Sequence, residues 1–262
     1  MLDTLQYALS IGAGLLVGFV LALVGGGGSI LAVPLMVYVV GVPSPHVAIG
    51  TSAMAVAVNA AMGLANHARA GTVKWRCALM FAAAGILGAF VGSTAGKALD
   101  GQRLLFLFAI VMIVVGIMML KTRGAAGDPD VRLHREIAPK VIGYGAGTGL
   151  FSGFFGIGGG FLIVPGLVAS TGMPMIYAIG SSLVAVTAFG ITTAINYAVS
   201  GLVDWKLAIL FIAGGLIGGV LGARAARHFS AKRGWLTTIF SGLIFVVAGY
   251  MVWKSTIVSV GG

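Results

Sequence analysis

The sequence predicts an all-α, polytopic membrane protein built from two inverted repeats. Three observations lead to this fold class: the composition, the spacing of apolar runs and an internal repeat. Hydrophobic residues make up 59% of the 262 residues, charged residues make up only 8%, and the mean hydropathy is +1.08. An ordinary soluble domain carries about 25% charged residues. We therefore expect one transmembrane domain over residues 1–262.

Ten apolar runs follow one another along the chain. A transmembrane helix needs about 20 apolar residues, so a chain of this length can supply about eight to ten helical segments. The runs form two sets of five, at 5–24, 29–41, 48–66, 76–97 and 103–120, and at 141–155, 161–172, 178–199, 207–226 and 235–253. We predict a first repeat over 5–121, a polar cytoplasmic linker over 122–140 and a second repeat over 141–254.

The two sets of runs repeat one another in sequence. GGGGSILAVP, from Gly25 to Pro34, matches GIGGGFLIVP, from Gly156 to Pro165, at an offset of 131 residues. AIGTS, from Ala48 to Ser52, matches AIGSS, from Ala178 to Ser182, at an offset of 130 residues. Because the matches recur in the same order, we expect the two halves to share one fold.

The distribution of basic residues predicts the orientation of the halves. If each glycine-broken pair of runs returns to its starting side and the other runs cross the membrane, one face collects twelve of the sixteen Lys and Arg residues. If each broken pair makes one crossing, the split is ten against six. The positive-inside rule favours the first arrangement, in which the halves are inverted. Charge does not decide whether each broken pair is two spans or a re-entrant hairpin.

The two glycine clusters predict breaks in helices at membrane depth. Consecutive glycines point in different directions around a helix and so do not form one packing face. Each glycine also destabilises a helix by about 1 kcal/mol relative to alanine. The helix that starts after a break exposes N–H groups that attract anions, and inverted repeats bring two such ends together near the midplane. Close helix packing is the alternative role for these glycines. The predicted substrate contacts here are Gly25, Gly26, Gly27, Gly28, Ser29, at the N-cap, Gly156, Gly158, Gly159 and Gly160.

The polar residues of the runs favour an anionic substrate. All six acidic residues lie in predicted loops or at a terminus, so a cation site or a carboxylate proton relay within the membrane is disfavoured. Hydroxyl and amide side chains complete the predicted substrate-binding set: Thr51, Ser52, Ser181, Ser182, Asn59, Asn66 and Asn196. The hydroxyls could instead cap helices, and the amides could instead join neighbouring helices.

Several other functions are disfavoured by the sequence. The net charge of +10 comes from residues between the apolar runs, without the basic stripe that nucleic-acid binding requires. Cys77 is the only cysteine, and the four histidines have no acids or cysteines at ligand spacing, so we expect no metal and no cofactor. No catalytic triad, nucleophile elbow or nucleotide-binding loop is present, and we expect no enzymatic activity.

These motifs resemble the TauE/SafE family of membrane transporters, also called sulfite exporters. The resemblance covers residues 14–254 outside the linker and rests on the two glycine breaks, the AIGTS and AIGSS pairs, and the related segments NHARAGTVKW and NYAVSGLVDW. It implies export or uptake of small anions, such as sulfite, sulfoacetate or other organosulfonates and carboxylates, across a prokaryotic plasma membrane. Gly26 stands where the second half has Ile157, and Ser29 stands where it has Gly160, so the half-sites differ.

The sequence therefore predicts a multi-pass secondary transporter of the inner membrane that exports a small anion by alternating access. An anion channel is the first alternative, and a non-transporting membrane assembly protein is the second. The expected partners are the anionic substrate and the lipid bilayer. The oligomeric state is left open, and a homo-oligomer is one alternative.

Overall fold

The structure, a computed structural model, describes residues 4–121, 137–156, 160–228, 242 and 244–254. Over these residues the chain forms helices and no β-strand, which confirms the all-α class. The α-helices are α1 Thr4–Val24, α2 Ala32–Pro34, α3 Pro45–Arg69, α4 Trp75–Ala98, α5 Gly101–Lys121, α6 Ala138–Phe155, α7 Gly160–Thr171, α8 Met175–Val199, α9 Trp205–His228 and α10 Ile244–Lys254. Among them α1, α3, α4, α8 and α9 are long and apolar enough to cross a membrane.

Both glycine clusters turn the chain back along the preceding helix. Gly28 lies against the backbone of Val20 and Leu21, and the Gln6 side chain donates a hydrogen bond to the Gly41 carbonyl near the start of α1. In the second half, Gly166 of α7 lies beside Thr148 of α6. Each broken pair is therefore a helical hairpin. The first hairpin ends beside the start of α1, at the same end of the bundle.

The two halves exchange helices. Helix α1 of the first half packs along α9 of the second, and α6 of the second packs along α4 of the first. The contacts occur at equivalent positions: Gly14 and Gly18 face the backbone of Phe211 and Gly215, and Gly145 and Gly149 face that of Phe81 and Gly85. Contacts advance in the same direction along both partners, so both pairs are parallel. Glycine allows this backbone approach because it has no Cβ.

Helices α3 and α8 occupy equivalent places in the repeats and run antiparallel at the centre. Glycines on one helix mark the partner residues on the other: Gly50 with Tyr197, Ala57 with Gly190, Gly63 with Leu183 and His67 with Gly180. The midpoint of this pairing falls between Val58 and Asn59 on α3 and between Ala188 and Phe189 on α8. Opposite directions of equivalent helices are what inverted repeats require, and the inversion across a membrane stays a prediction.

The first glycine break differs from the expected one. A 3-10 helix spans Gly25–Leu31, α2 follows it, and a π-helix spans Leu35–Val39. Ser29 therefore lies inside the 3-10 helix, and its predicted N-cap role is wrong. The flexible glycines permit a tighter helix to begin directly after the turn, so no extended residue precedes Ser29.

The second break ends α6 with a left-handed residue. Gly156 has φ +68, and its N–H bonds to the Gly153 carbonyl at 3.1 Å. The predicted contacts Gly158 and Gly159 lie outside the described residues, as does most of the predicted linker. Helix α6 begins at Ala138 rather than after residue 140, because Pro139 is well suited to the first turn of a helix.

Candidate functional site

The two returning segments lie side by side. The 3-10 helix Gly25–Leu31 packs against α7, which begins at the buried Gly160. Gly156 at the second turn lies against Ile49, ten residues before Asn59, about 15 Å at 1.5 Å per residue. The segments therefore meet as predicted, whereas the turn at Gly156 is displaced from the midpoint of α3. Gly28 has backbone atoms directly against its Cα, which favours the packing role for this glycine.

The four predicted hydroxyls are buried and follow the repeat. Thr51 Oγ1 accepts a hydrogen bond from the Asp204 N–H, and Ser181 Oγ accepts one from the Lys74 N–H, both at 2.9 Å. These bonds hold the loop before α9 and the loop before α4, so each hydroxyl serves the opposite half. Ser52 Oγ donates to the Ile49 carbonyl and Ser182 Oγ donates to the Ile179 carbonyl, at 3.1 and 2.8 Å.

Asn196 belongs to a polar cluster between the ends of α4 and α8. Its Nδ2 lies 2.6 Å from Ser93 Oγ and 3.0 Å from Thr94 Oγ1. Lys97 Nζ donates to the Asn196 Oδ1 at 2.8 Å, to the Asn196 carbonyl at 2.9 Å and to Ser200 Oγ at 2.8 Å. A half-buried ammonium is thus held by three uncharged oxygens, and the carbonyl end of α8 supplies a partial negative charge.

Asn66, the repeat partner of Asn196, is exposed on α3 and lies apart from this cluster. The equivalence of the two asparagines in sequence therefore does not extend to their surroundings. The first half has no described copy of the Lys97 cluster, because the side chain of Arg227, the repeat partner of Lys97, lies outside the described set.

Asn59 differs from the other two predicted asparagines. It is 5% exposed, and within the described part of the chain neither its Nδ2 nor its Oδ1 has a hydrogen-bond partner. The amide faces Gly215 of α9, close to the midpoint of the α3 and α8 pairing. Because an unpaired amide is unfavourable in an apolar interior, Asn59 is a candidate contact for a polar ligand.

Lys97 is the residue that the sequence analysis missed. Lys97 ends the run at 76–97, so it was counted only as one of the four basic residues on the less basic face. The signal that identifies it is the spacing Ser93, Thr94 and Lys97, which puts two hydroxyls one turn before the ammonium on the same helix face.

The described carboxylates cap helices. Asp100 Oδ1 accepts hydrogen bonds from the N–H groups of Gln102 and Arg103 at 3.1 Å. Asp204 Oδ1 accepts from those of Lys206 and Leu207 at 3.0 Å. Both acids are thus placed just before α5 and α9, where an N-terminal helix dipole favours a negative charge. Among the described residues, no group of three or more His, Cys, Asp or Glu side chains could hold a metal ion.

The family model described as sulfite exporter TauE/SafE matches residues 10–251. The chain belongs to the TauE/SafE family. As a TauE/SafE protein whose described residues include five helices able to span a bilayer, it is a multi-pass membrane transporter.

Other members share most of the length of this TauE/SafE protein. A probable membrane transporter protein of Xylella fastidiosa (strain 9a5c) is 53% identical over 94% of this chain and 95% of its own length. The probable membrane transporter protein YunE of Bacillus subtilis (strain 168) is 27% identical, over 87% and 91%. A probable membrane transporter protein of Haemophilus influenzae is 29% identical over 84% of both chains. No solved structure matches the chain significantly.

Proposed function

We propose that this protein is a secondary transporter that exports a small anion, such as sulfite, sulfoacetate or another organosulfonate or carboxylate, across the prokaryotic plasma membrane. The proposal starts from membership of the TauE/SafE family, whose description names sulfite export. The substrate class, the direction and the mechanism are the parts that we add.

The distribution of charge is the observation that best supports an anionic substrate. Both described carboxylates, Asp100 and Asp204, lie just before a helix, whereas the Lys97 ammonium lies half-buried near the end of α4 among uncharged oxygens. A bundle whose described helices carry no carboxylate, with a cation at the end of one of them, favours an anion over a cation. The amides at Gly25–Ser29, Gly156 and Gly160, with the hydroxyls of Thr51, Ser52, Ser181 and Ser182, are the proposed contacts along the path of this substrate.

Alternating access is supported by how the halves are assembled. Helices α3 and α8 run antiparallel at the centre, and each outer pair, α1 with α9 and α4 with α6, combines one helix from each half. Two such pairs can rock against the central helices about the glycine turns, which opens the site to one side at a time. This is the motion that we propose for transport.

Flux into proteoliposomes tests the proposed substrate class. Purified protein would be reconstituted and given labelled sulfite, labelled sulfoacetate or labelled taurine, a zwitterion of similar size. We expect saturable uptake of the two anions that exceeds uptake of taurine. Accelerated flux of neutral or cationic solutes without flux of anions would overturn the proposal.

The same vesicles separate the alternatives. A carrier accelerates uptake when unlabelled anion is present inside, whereas an anion channel gives no such counter-transport, and an assembly protein gives no flux. For the direction, everted membrane vesicles from expressing cells should accumulate the anion faster than right-side-out vesicles do. The reverse preference would contradict export while leaving the anionic substrate in place.

A further inference from the structure

One contact occurs in both repeats with unlike side chains. Asn59 of α3 faces Gly215 of α9, and at the equivalent place in the second repeat Phe189 of α8 faces Gly85 of α4. The offset of 130 residues relates Asn59 to Phe189 and Gly85 to Gly215. The repeats therefore build two equivalent positions beside the centre of the bundle, and they fill one with an amide and the other with a phenyl ring.

The position of Phe189 is apolar and closed. The ring is fully buried and stacks on Phe81, with ring centroids 6.5 Å apart and an interplanar angle of 22°. The Phe189 ring tip also lies directly against Gly85. An aromatic ring packed in this way needs no polar partner, so the ring itself gives an anion no hydrogen bond.

The position of Asn59 is polar and unsatisfied. Glycine at position 215 leaves room for the amide, since a Cβ there would overlap Nδ2 and Oδ1. The amide has an N–H2 donor and a carbonyl acceptor, and neither has a partner among the described residues. A ligand that pairs both atoms must offer an acceptor oxygen and a donor hydrogen.

Two contacts of α1 lie between the Asn59 position and the first glycine turn. Gly18 of α1 lies against Gly215, which faces Asn59, and Leu21, three residues further along α1, lies against Gly28. Gly215, which the amide faces, and the returning 3-10 helix thus adjoin neighbouring turns of α1. The second repeat has the same glycine contacts at Gly149 and Gly85, yet there the Phe189 ring replaces the amide.

We propose that each chain binds one anion, beside Asn59, and that the equivalent position at Phe189 binds none. The Asn59 N–H2 donates to an oxygen of the anion, and its carbonyl accepts a hydrogen bond from an O–H or N–H of the same ligand. The preferred ligand is a singly charged oxyanion that keeps one donor hydrogen, such as hydrogen sulfite. This inference rests on the proposed anion transport and adds its stoichiometry and the residue that selects the substrate.

Equilibrium binding of labelled sulfite to purified protein tests the inference. We expect one site per chain, and we expect Asn59→Leu to raise Kd about tenfold or more, since a hydrogen bond to a charged group is lost. Asn59→Ala should behave in the same way if leucine does not fit. The control is Gln102→Leu, which removes an exposed amide from the start of α5 and should leave Kd unchanged.

Thermal unfolding without ligand separates binding from a structural role. Because the Asn59 amide makes no hydrogen bond within the described part of the chain, Asn59→Leu should keep or raise the melting temperature while it weakens binding. A loss of thermal stability with unchanged Kd would overturn the inference, as would two equal sites per chain. If wild-type protein transports anions and Asn59→Leu transports them equally well, this inference fails and the proposed function stands. If wild-type protein transports no anion, the proposed function itself fails.

Discussion

Thr51 of α3 binds the backbone of Asp204, 153 residues later in the chain, through a hydrogen bond of 2.9 Å. Ser181 of α8 makes the same bond to Lys74, and the two bonds are related by the sequence repeat. Each central helix thus fixes the loop that starts an outer helix of the opposite half. The hydroxyls predicted to bind substrate therefore have a structural role that can be measured.

Removing either hydroxyl should destabilise the protein. Thr51→Val and Ser181→Ala each leave a backbone N–H without its partner, so we expect a loss of about 1–3 kcal/mol in the free energy of unfolding. Chemical denaturation in detergent, followed by circular dichroism, measures this loss. Thr51→Ser keeps the oxygen and should retain most of the stability. Equal stability of Thr51→Val and wild type would show that the bond contributes nothing.

Alanine should distinguish buried glycines from exposed ones on α1 and α6. Gly14 and Gly145 lie against the backbone of a partner helix. A methyl group at Gly12 or Gly143 would meet none of the described residues. Gly14→Ala and Gly145→Ala should lower the free energy of unfolding by about 1–3 kcal/mol because the helices must separate. Gly12→Ala and Gly143→Ala should raise it by up to about 1 kcal/mol. Urea titrations of the four variants measure the free energy of unfolding. Equal values for Gly14→Ala and Gly12→Ala on α1, or for Gly145→Ala and Gly143→Ala on α6, would contradict the helix contacts.

Gly156 should tolerate alanine less well than Gly201. Both residues have left-handed backbone, with φ of +68 and +70, which costs an L-residue about 1–2 kcal/mol. Only at Gly156 would the new methyl group also overlap the Ile49 side chain. We expect the melting temperature to fall further for Gly156→Ala than for Gly201→Ala. Adding Ile49→Ala to Gly156→Ala should restore part of the loss, and strict additivity of the two changes would argue against the contact.

Lys97 should contribute more than an exposed lysine does. Lys97→Met removes the donor to the Asn196 carbonyl, to its amide oxygen and to Ser200 Oγ, so we expect a loss of about 1 kcal/mol or more in the free energy of unfolding. Lys206→Met removes an equal charge from the exposed start of α9 and is the matched control, with an expected change within about 0.5 kcal/mol. Denaturation curves of both variants at one ionic strength make the comparison. Indistinguishable curves would mean that the cluster around Lys97 is not stabilising.

The sequence predicted the long helices well because apolar length alone determines them. The run at 76–97 became α4, Trp75–Ala98, and the run at 178–199 became most of α8, Met175–Val199. The matched motifs also identified equivalent residues, so the pairing of Thr51 with Ser181 was available before the structure. The repeat could not predict which group each hydroxyl binds, because the bonding partner of each hydroxyl lies more than 100 residues away in the chain.

The remaining differences arise from packing between helices. No local pattern distinguishes the unpaired Asn59 from the hydrogen-bonded Asn196, since both are single amides in apolar runs and only their neighbours on other helices differ. The succession of 3-10, α and π turns from Gly25 to Val39 likewise depends on how the returning segment fits against α1 and α7. Residue composition predicted a break there but not its geometry.

The exchange of helices between the halves has a consequence for biosynthesis. The Ser10 hydroxyl bonds to the Leu207 carbonyl across a separation of 197 residues, and α1 packs along α9 over much of its length. Helix α1 leaves the ribosome before α9, its main partner, so the glycine face of α1 stays exposed to lipid until α9 is inserted. Neither half can complete its own packing alone, so cutting the chain in the linker should yield two fragments that are stable only when they are made together.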